Sequence, residues 1–197
     1  MSDDLLQAPA NAESGSTRGH DVFVSSFVPR PSMYVFGAVD HAAALADVGR
    51  FLGYRVTVCD ARARFVTRER FPDVDKLVVE WPDAFLERAP VDERTAICVL
   101  THDHKFDVPL LKVALRTPAA YIGAMGSRRT TDDRAERLRA EGVTDEELAR
   151  LHAPIGLRIG ARSPEEVAVA IGAEIVEATA AARRATTAAS RLVSLLS

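Results

Sequence analysis

Between Val35 and Asp60 the chain reads "VFGAVDHAAALADVGRFLGYRVTVCD": an apolar run, a glycine turn, an amphipathic segment, a second apolar run and an acid. That order specifies strand, turn, helix and strand. The two strands must be parallel, because a hairpin needs only a few linking residues whereas a parallel pair needs a long crossover. The outline is that of a dinucleotide-binding βαβ unit, yet its fingerprint is incomplete. Where G-x-G-x-x-G is required, the chain offers Gly37-Ala38-Val39-Asp40-His41-Ala42. Val39 sets a β-branched side chain where the backbone should approach a pyrophosphate. Asp40 sets a carboxylate at the helix start, where a phosphate would sit. The turn therefore reads either as a structural corner capped by Asp40 or as an altered nucleotide site built on Gly37.

The same alternation continues along the chain. Short apolar runs at Met33–Gly37, Arg55–Cys59, Lys76–Glu80, Thr95–Leu100 and Ala119–Gly123 predict strands buried on both faces. Helical segments are expected at Asp40–Leu52, Pro82–Arg88, Phe106–Leu115 and Arg129–Glu141. Strands alternating with helices predict an α/β, doubly wound, mostly parallel sheet in three layers, Rossmann-like. Thr144 with Glu147 makes a capping box for "TDEELARLH", expected as a helix, and Ser163, Pro164 and Glu166 open another. The second helix is expected to bury Val167, Ile171, Ile175 and Val176.

The first 20 residues are polar and aperiodic and read as a disordered tail; residues 21–197 read as one domain, with a short lead-in strand within Asp21–Pro31. A net charge of −3 gives no general reason to expect nucleic acid as a partner. No apolar run approaches the roughly 20 residues that span a bilayer, and the N-terminus lacks the basic start and apolar stretch of a secretory signal. Cys59 and Cys98 lie in apolar runs and read as buried free thiols of a reducing compartment. A cytoplasmic location follows.

Ligands of a doubly wound sheet bind beyond the carboxyl ends of its strands, so the segments after each strand hold the candidate site. Asp60 lies 23 residues past Gly37, near the spacing of the acid that holds a ribose diol, while Arg62 and Arg64 would instead favour a 2′-phosphate. "LTHDHKFD" supplies Thr101, His102, Asp103, His104 and Asp107. It reads as a ligand-facing polar loop with Asp103 or His104 capping the next helix, not as a metal site, because two imidazoles have no further ligand cluster to complete them. "YIGAMGSRRTTDDR" carries the strongest signal. Gly123 and Gly126 bracket a turn, Ser127 can cap the following helix, and Arg128 and Arg129 fall in its first turn. Cations oppose the dipole there, which points to an anion unless the arginines pair with Asp132 and Asp133. Nothing in the chain marks a nucleophile.

The stretches "LGYRVTVCDARARF", "LTHDHKFDVPLL", "AAYIGAMGSRR" and "ERLRAEGVTDEELARLHAPIGLRIGARSPEEVAVAIGAEIV" together resemble the C-terminal Rossmann-type domain of the XdhC/CoxI family, over about residues 33–178. The family comprises accessory proteins of xanthine dehydrogenase and related molybdenum hydroxylases. The resemblance implies a non-catalytic, chaperone-like role: binding the molybdenum cofactor (molybdopterin), protecting it during sulfuration and passing it to the apo-hydroxylase. A cysteine desulfurase is an implied partner, and a homodimer is compatible. It carries a cofactor site to Thr101, His102, Asp103, Gly123, Gly126, Ser127, Arg128 and Arg129, and more weakly to Gly37 and Asp60. Members usually have a further N-terminal domain with cysteine motifs, where this chain has a short polar stretch. Many also have a GAGH-like first turn, of which only Gly37 and Ala38 stand here. Two other readings stay open: an NAD(P)-binding oxidoreductase or nucleotide-sensing module, and a docking module without a small ligand.

Overall fold

The computed structural model describes residues 29–101 and 103–196, with side chains through residue 180. Strands β1 (Ser32–Phe36), β2 (Arg55–Cys59), β3 (Lys76–Val78), β4 (Ala96–Val99), β5 (Tyr121–Ala124) and β6 (Leu151–His152) form one sheet in the order β3-β2-β1-β4-β5-β6. Every pairing is parallel. The order reverses between β1 and β4, where Phe36 lies opposite Cys59 on one side and Val99 on the other. This is the dinucleotide-fold strand order, with its crevice at the carboxyl ends of β1 and β4.

Alternate residues of each strand feed two separate cores. Met33, Val35, Val56, Val58 and Cys98 point to α1 (Asp40–Phe51) and α6 (Pro164–Leu196), meeting Leu45, Ala46, Ile171 and Ile175. Tyr34, Phe36, Ile97, Val99 and Ile122 point the other way, to α2 (Pro82–Leu86), α3 (His104–Ala114) and α4 (Arg128–Ala140). The strands are apolar on both faces because helices cover both, which makes the sheet the middle of three layers. Contacts from Pro31 onward form one compact unit. The tail and the lead-in strand expected before it lie outside the described residues.

The local start signals act as their chemistry requires. Thr144 and Glu147 form a reciprocal capping box on α5 (Asp145–Leu148), and Ser163 and Glu166 exchange the same two bonds at α6. Three expectations are corrected. The "TDEELARLH" helix ends after Leu148, and Leu151 and His152 become β6, drawn to the free edge of β5 by pairing with Ile122 and Gly123. Val176 is exposed, because the buried stripe of α6 runs through Ala168, Ile171 and Ile175. Asp40 is the first residue inside α1 and not its cap; Val39 holds the extended N-cap position with no side-chain bond. Cys59 and Cys98 are buried free thiols, and burial, reinforced by Glu80 and Asp60, pushes Cys59 up to about 12.

Candidate functional site

The first turn is closed on itself. Gly37 takes φ +100°, and a side chain there would lie 2.8 Å from Thr101 Cγ2 and 3.0 Å from Thr101 N. The glycine is thus required by the close approach of the β4 loop. Asp60, buried at the end of β2, accepts from Ala38 N at 2.9 Å, from Arg62 N at 2.9 Å, and from Arg62 Nε and Nη2 at 2.9 and 2.8 Å. Each carboxylate oxygen carries two bonds, which fills the acceptor capacity of the group. Burial pushes this carboxyl up, but the Arg62 and Ala38 donors outweigh it and hold it below the usual range. An acid spent this way has nothing left for a ribose diol, and Ala38 N has nothing left for a phosphate. Asp40 meanwhile pairs with Arg70 at 2.8 Å.

Beyond β4 and β5 the residues converge on a buried arginine. Thr101 donates its hydroxyl to Asp107 Oδ1. Asp107 Oδ2 accepts from Arg134 Nη2 at 2.9 Å, and Arg134 Nη2 also donates to Met125 O at 2.8 Å. Arg134 is fully buried, and its Nε and Nη1 have no partner. Burial raises Asp107 to about 6 despite the opposing pull of Arg134. Desolvating both charges costs about as much as their attraction returns, so the pair is not explained by stability alone. It ties the α3 start to the carbonyl of Met125 and so fixes the β5–α4 turn beside the β4 loop.

That turn presents the charge. Ser127 caps α4, accepting from Thr130 N at 3.1 Å. The first turn of α4 has no acid. Arg128 and Arg129 are exposed and, among the described residues, make no ion pair. Asp133, one expected partner, is taken by Arg137 at 3.2 Å and faces His104 Nε2 at 3.5 Å. Two free guanidinium groups and a helix N-terminus therefore share one exposed corner. A side chain at Gly126 would press on Thr130 at 3.2 Å and come within 3.6 Å of Arg134 Nη1. Glycine thus lets the turn pack closely on Thr130, over the buried Arg134 Nη1.

The other expected residues are spread more widely. Asp103 caps α3, accepting from Lys105 N at 3.0 Å. His102 lies outside the described residues. Gly123 sits inside β5, not in the turn; a side chain there would strike Ile155 and the Tyr121 hydroxyl at 2.5 and 2.6 Å. Arg134 is a candidate site residue that the sequence alone does not reveal. Its only signal is its place four residues before Leu138, on the stripe that α4 buries.

The fold and its edge define a class: a doubly wound domain of dinucleotide-binding topology whose first turn is sealed internally and whose β5–α4 turn carries two exposed arginines without an ion pair among the described residues. More narrowly, the chain belongs to the XdhC family, since residues 33–175 match the model of the XdhC Rossmann domain. It is 30% identical over 157 residues to a probable xanthine dehydrogenase subunit of Bacillus subtilis, covering 80% of this chain and 46% of that protein. Over 87 residues it is 34% identical to the molybdenum cofactor insertion chaperone PaoD of Escherichia coli, covering 44% of this chain and 27% of PaoD. The crystal structure of a xanthine dehydrogenase from Bacillus halodurans superposes with a TM-score of 0.67 at 27% identity, covering 78% of this chain and 44% of that one. The chain thus spans less than half the length of these relatives. No helix among the described residues is long and apolar enough to cross a membrane.

Proposed function

We propose that this domain is an accessory factor that binds the molybdenum cofactor and assists its sulfuration and insertion into a xanthine dehydrogenase-type hydroxylase. The cofactor is cargo here, and its terminal phosphate lies on the β5–α4 turn, against Gly126, Ser127, Arg128 and Arg129. The carrying observation is that both arginines occupy a helix N-terminus with no acid in its first turn and, among the described residues, no ion-pair partner. Such an arrangement is unfavourable until an anion arrives, and planar guanidinium forks match phosphate. The exposed guanidinium groups and the Ser127-capped helix start match a phosphate, and beneath Gly126 lies the buried Arg134 Nη1, which has no hydrogen-bond partner among the described residues. Membership of the XdhC family and the kinship with an insertion chaperone support the same reading. An apo-hydroxylase is the expected recipient and a cysteine desulfurase the expected sulfur donor.

The test is molybdopterin binding by the full chain and by Arg128→Ala/Arg129→Ala. The double variant should lose at least tenfold in affinity; unchanged affinity would remove the proposed site. The NAD(P) reading rests on topology alone, because Asp60 and Ala38 N satisfy each other. Calorimetry with NAD(H) and NADP(H) decides it, and binding lost on Asp60→Ala would restore it.

A further inference from the structure

Trp81 and Phe106 come from opposite ends of the β3–α3 segment. Trp81 holds the N-cap position of α2, just beyond β3, and Phe106 lies in the first turn of α3, just beyond β4. Strands β2 and β1 lie between those two in the sheet. Even so, the ring centroids are 5.1 Å apart with the planes inclined at 48°. The two rings therefore meet across the carboxyl edge of the sheet, on the face covered by α2 and α3, as a wall beside the switch point. Lys105 Nζ stands 4.9 Å from the indole centroid and 5.8 Å from the Phe106 ring, and among the described residues it makes no ion pair.

A pair assembled only for packing would bury the indole. Trp81 is left 46% exposed, at the edge where ligands of this topology bind. Neither ring belongs to the cation corner at Arg128 and Arg129, yet Phe106 adjoins Asp107, which Arg134 ties to that corner. An exposed indole against a second, inclined ring, with the Lys105 ammonium over it, offers π surface and positive charge to a planar, electron-poor ring that carries negative charge.

We infer that Trp81 and Phe106, with Lys105, form a stacking subsite for the planar nitrogen heterocycle of a phosphorylated ligand. The subsite deepens the functional reading above, because it would hold the ring end of a ligand whose phosphate reaches the β5–α4 turn. Pterins and nucleobases share this chemistry, and the test separates them.

Trp81 is the single tryptophan of the chain and so reports on itself. The full chain is titrated with neopterin triphosphate, adenosine diphosphate and inorganic pyrophosphate, following indole fluorescence and the one indole N–H resonance. Heterocyclic phosphates are expected to quench the emission and shift the resonance, and pyrophosphate to bind without stacking changes. Trp81→Ala should weaken the heterocyclic ligands by about tenfold or more and leave pyrophosphate unchanged, while Trp81→Phe keeps most of the affinity. A preference for neopterin triphosphate assigns a pterin subsite, and the reverse preference a nucleobase subsite. Heterocycles that bind with an unmoved indole and unchanged affinity in Trp81→Ala overturn the inference and leave the phosphate corner standing. A shifted indole without any pyrophosphate binding upholds the subsite and removes the corner; silence with every probe overturns both. If Trp81→Ala does not fold, the wild-type indole resonance alone decides.

Discussion

Asp60 Oδ2 accepts the Ala38 amide at 2.9 Å, so the acid after β2 and the turn after β1 satisfy each other. In a dinucleotide site these two groups face the ligand from the same crevice. Here they face one another, and Arg62 fills what remains of the carboxylate. The seal accounts for the missing glycines: a turn whose amide is already bonded has no need for a close backbone approach at Val39.

This seal is acid-labile. The Asp60 carboxyl is depressed in the folded protein, so its contribution to stability is present above its unfolded value and is lost as pH falls through the folded one. Chemical denaturation across the acid range should show wild type losing stability below about pH 4 relative to Asp60→Asn, whose amide does not titrate. Parallel curves for the two proteins would show that the seal carries no charge.

Gly37→Ala meets two penalties at once, a φ of +100° and a contact of 2.8 Å with Thr101 Cγ2. The substitution should destabilise the domain by about 2–4 kcal/mol, read as a lower urea midpoint. A loss under about 1 kcal/mol would mean that the β4 loop yields easily.

Removing one partner of the buried Asp107–Arg134 pair leaves the other charge stranded. Arg134→Met should cost about 3–5 kcal/mol, whereas Arg134→Met/Asp107→Leu should recover much of the loss. The double variant should also free the carbonyl of Met125 and weaken phosphate binding at the turn. A double variant that regains both stability and binding would reduce the pair to packing.

At the proposed phosphate site, the free arginines set stability against binding. Arg129→Glu places an acid in the first turn of α4 and should raise stability by about 0.3–1 kcal/mol in the absence of ligand. The same variant should lose phosphate binding. A thermal melt with and without pyrophosphate reads both effects: the variant melts higher alone, and wild type alone gains from the ligand.

Local features were legible in the sequence and convergent ones were not. Arg55–Cys59 matches β2 at both ends, and both capping boxes formed where a hydroxyl precedes an acid by three residues. Those signals act within one turn or one strand. β6 escaped because two residues make no periodic pattern; its identity comes from the edge of β5. Arg134 escaped because an arginine in a polar helix looks solvated until its neighbour Leu138 shows which face is buried. Arg128 and Arg129 were readable since they break a local electrostatic rule, whereas the meeting of Trp81 with Phe106 depends on how α2 and α3 cross the sheet.

Among the described residues, the sheet is also bounded by its two shortest strands, three residues in β3 and two in β6. A margin that brief offers an incoming chain too few unpaired backbone groups to nucleate a lengthening ladder. Edges this short disfavour growth edge to edge into fibrils. That restriction suits the proposed role, in which the domain engages a hydroxylase and then releases it.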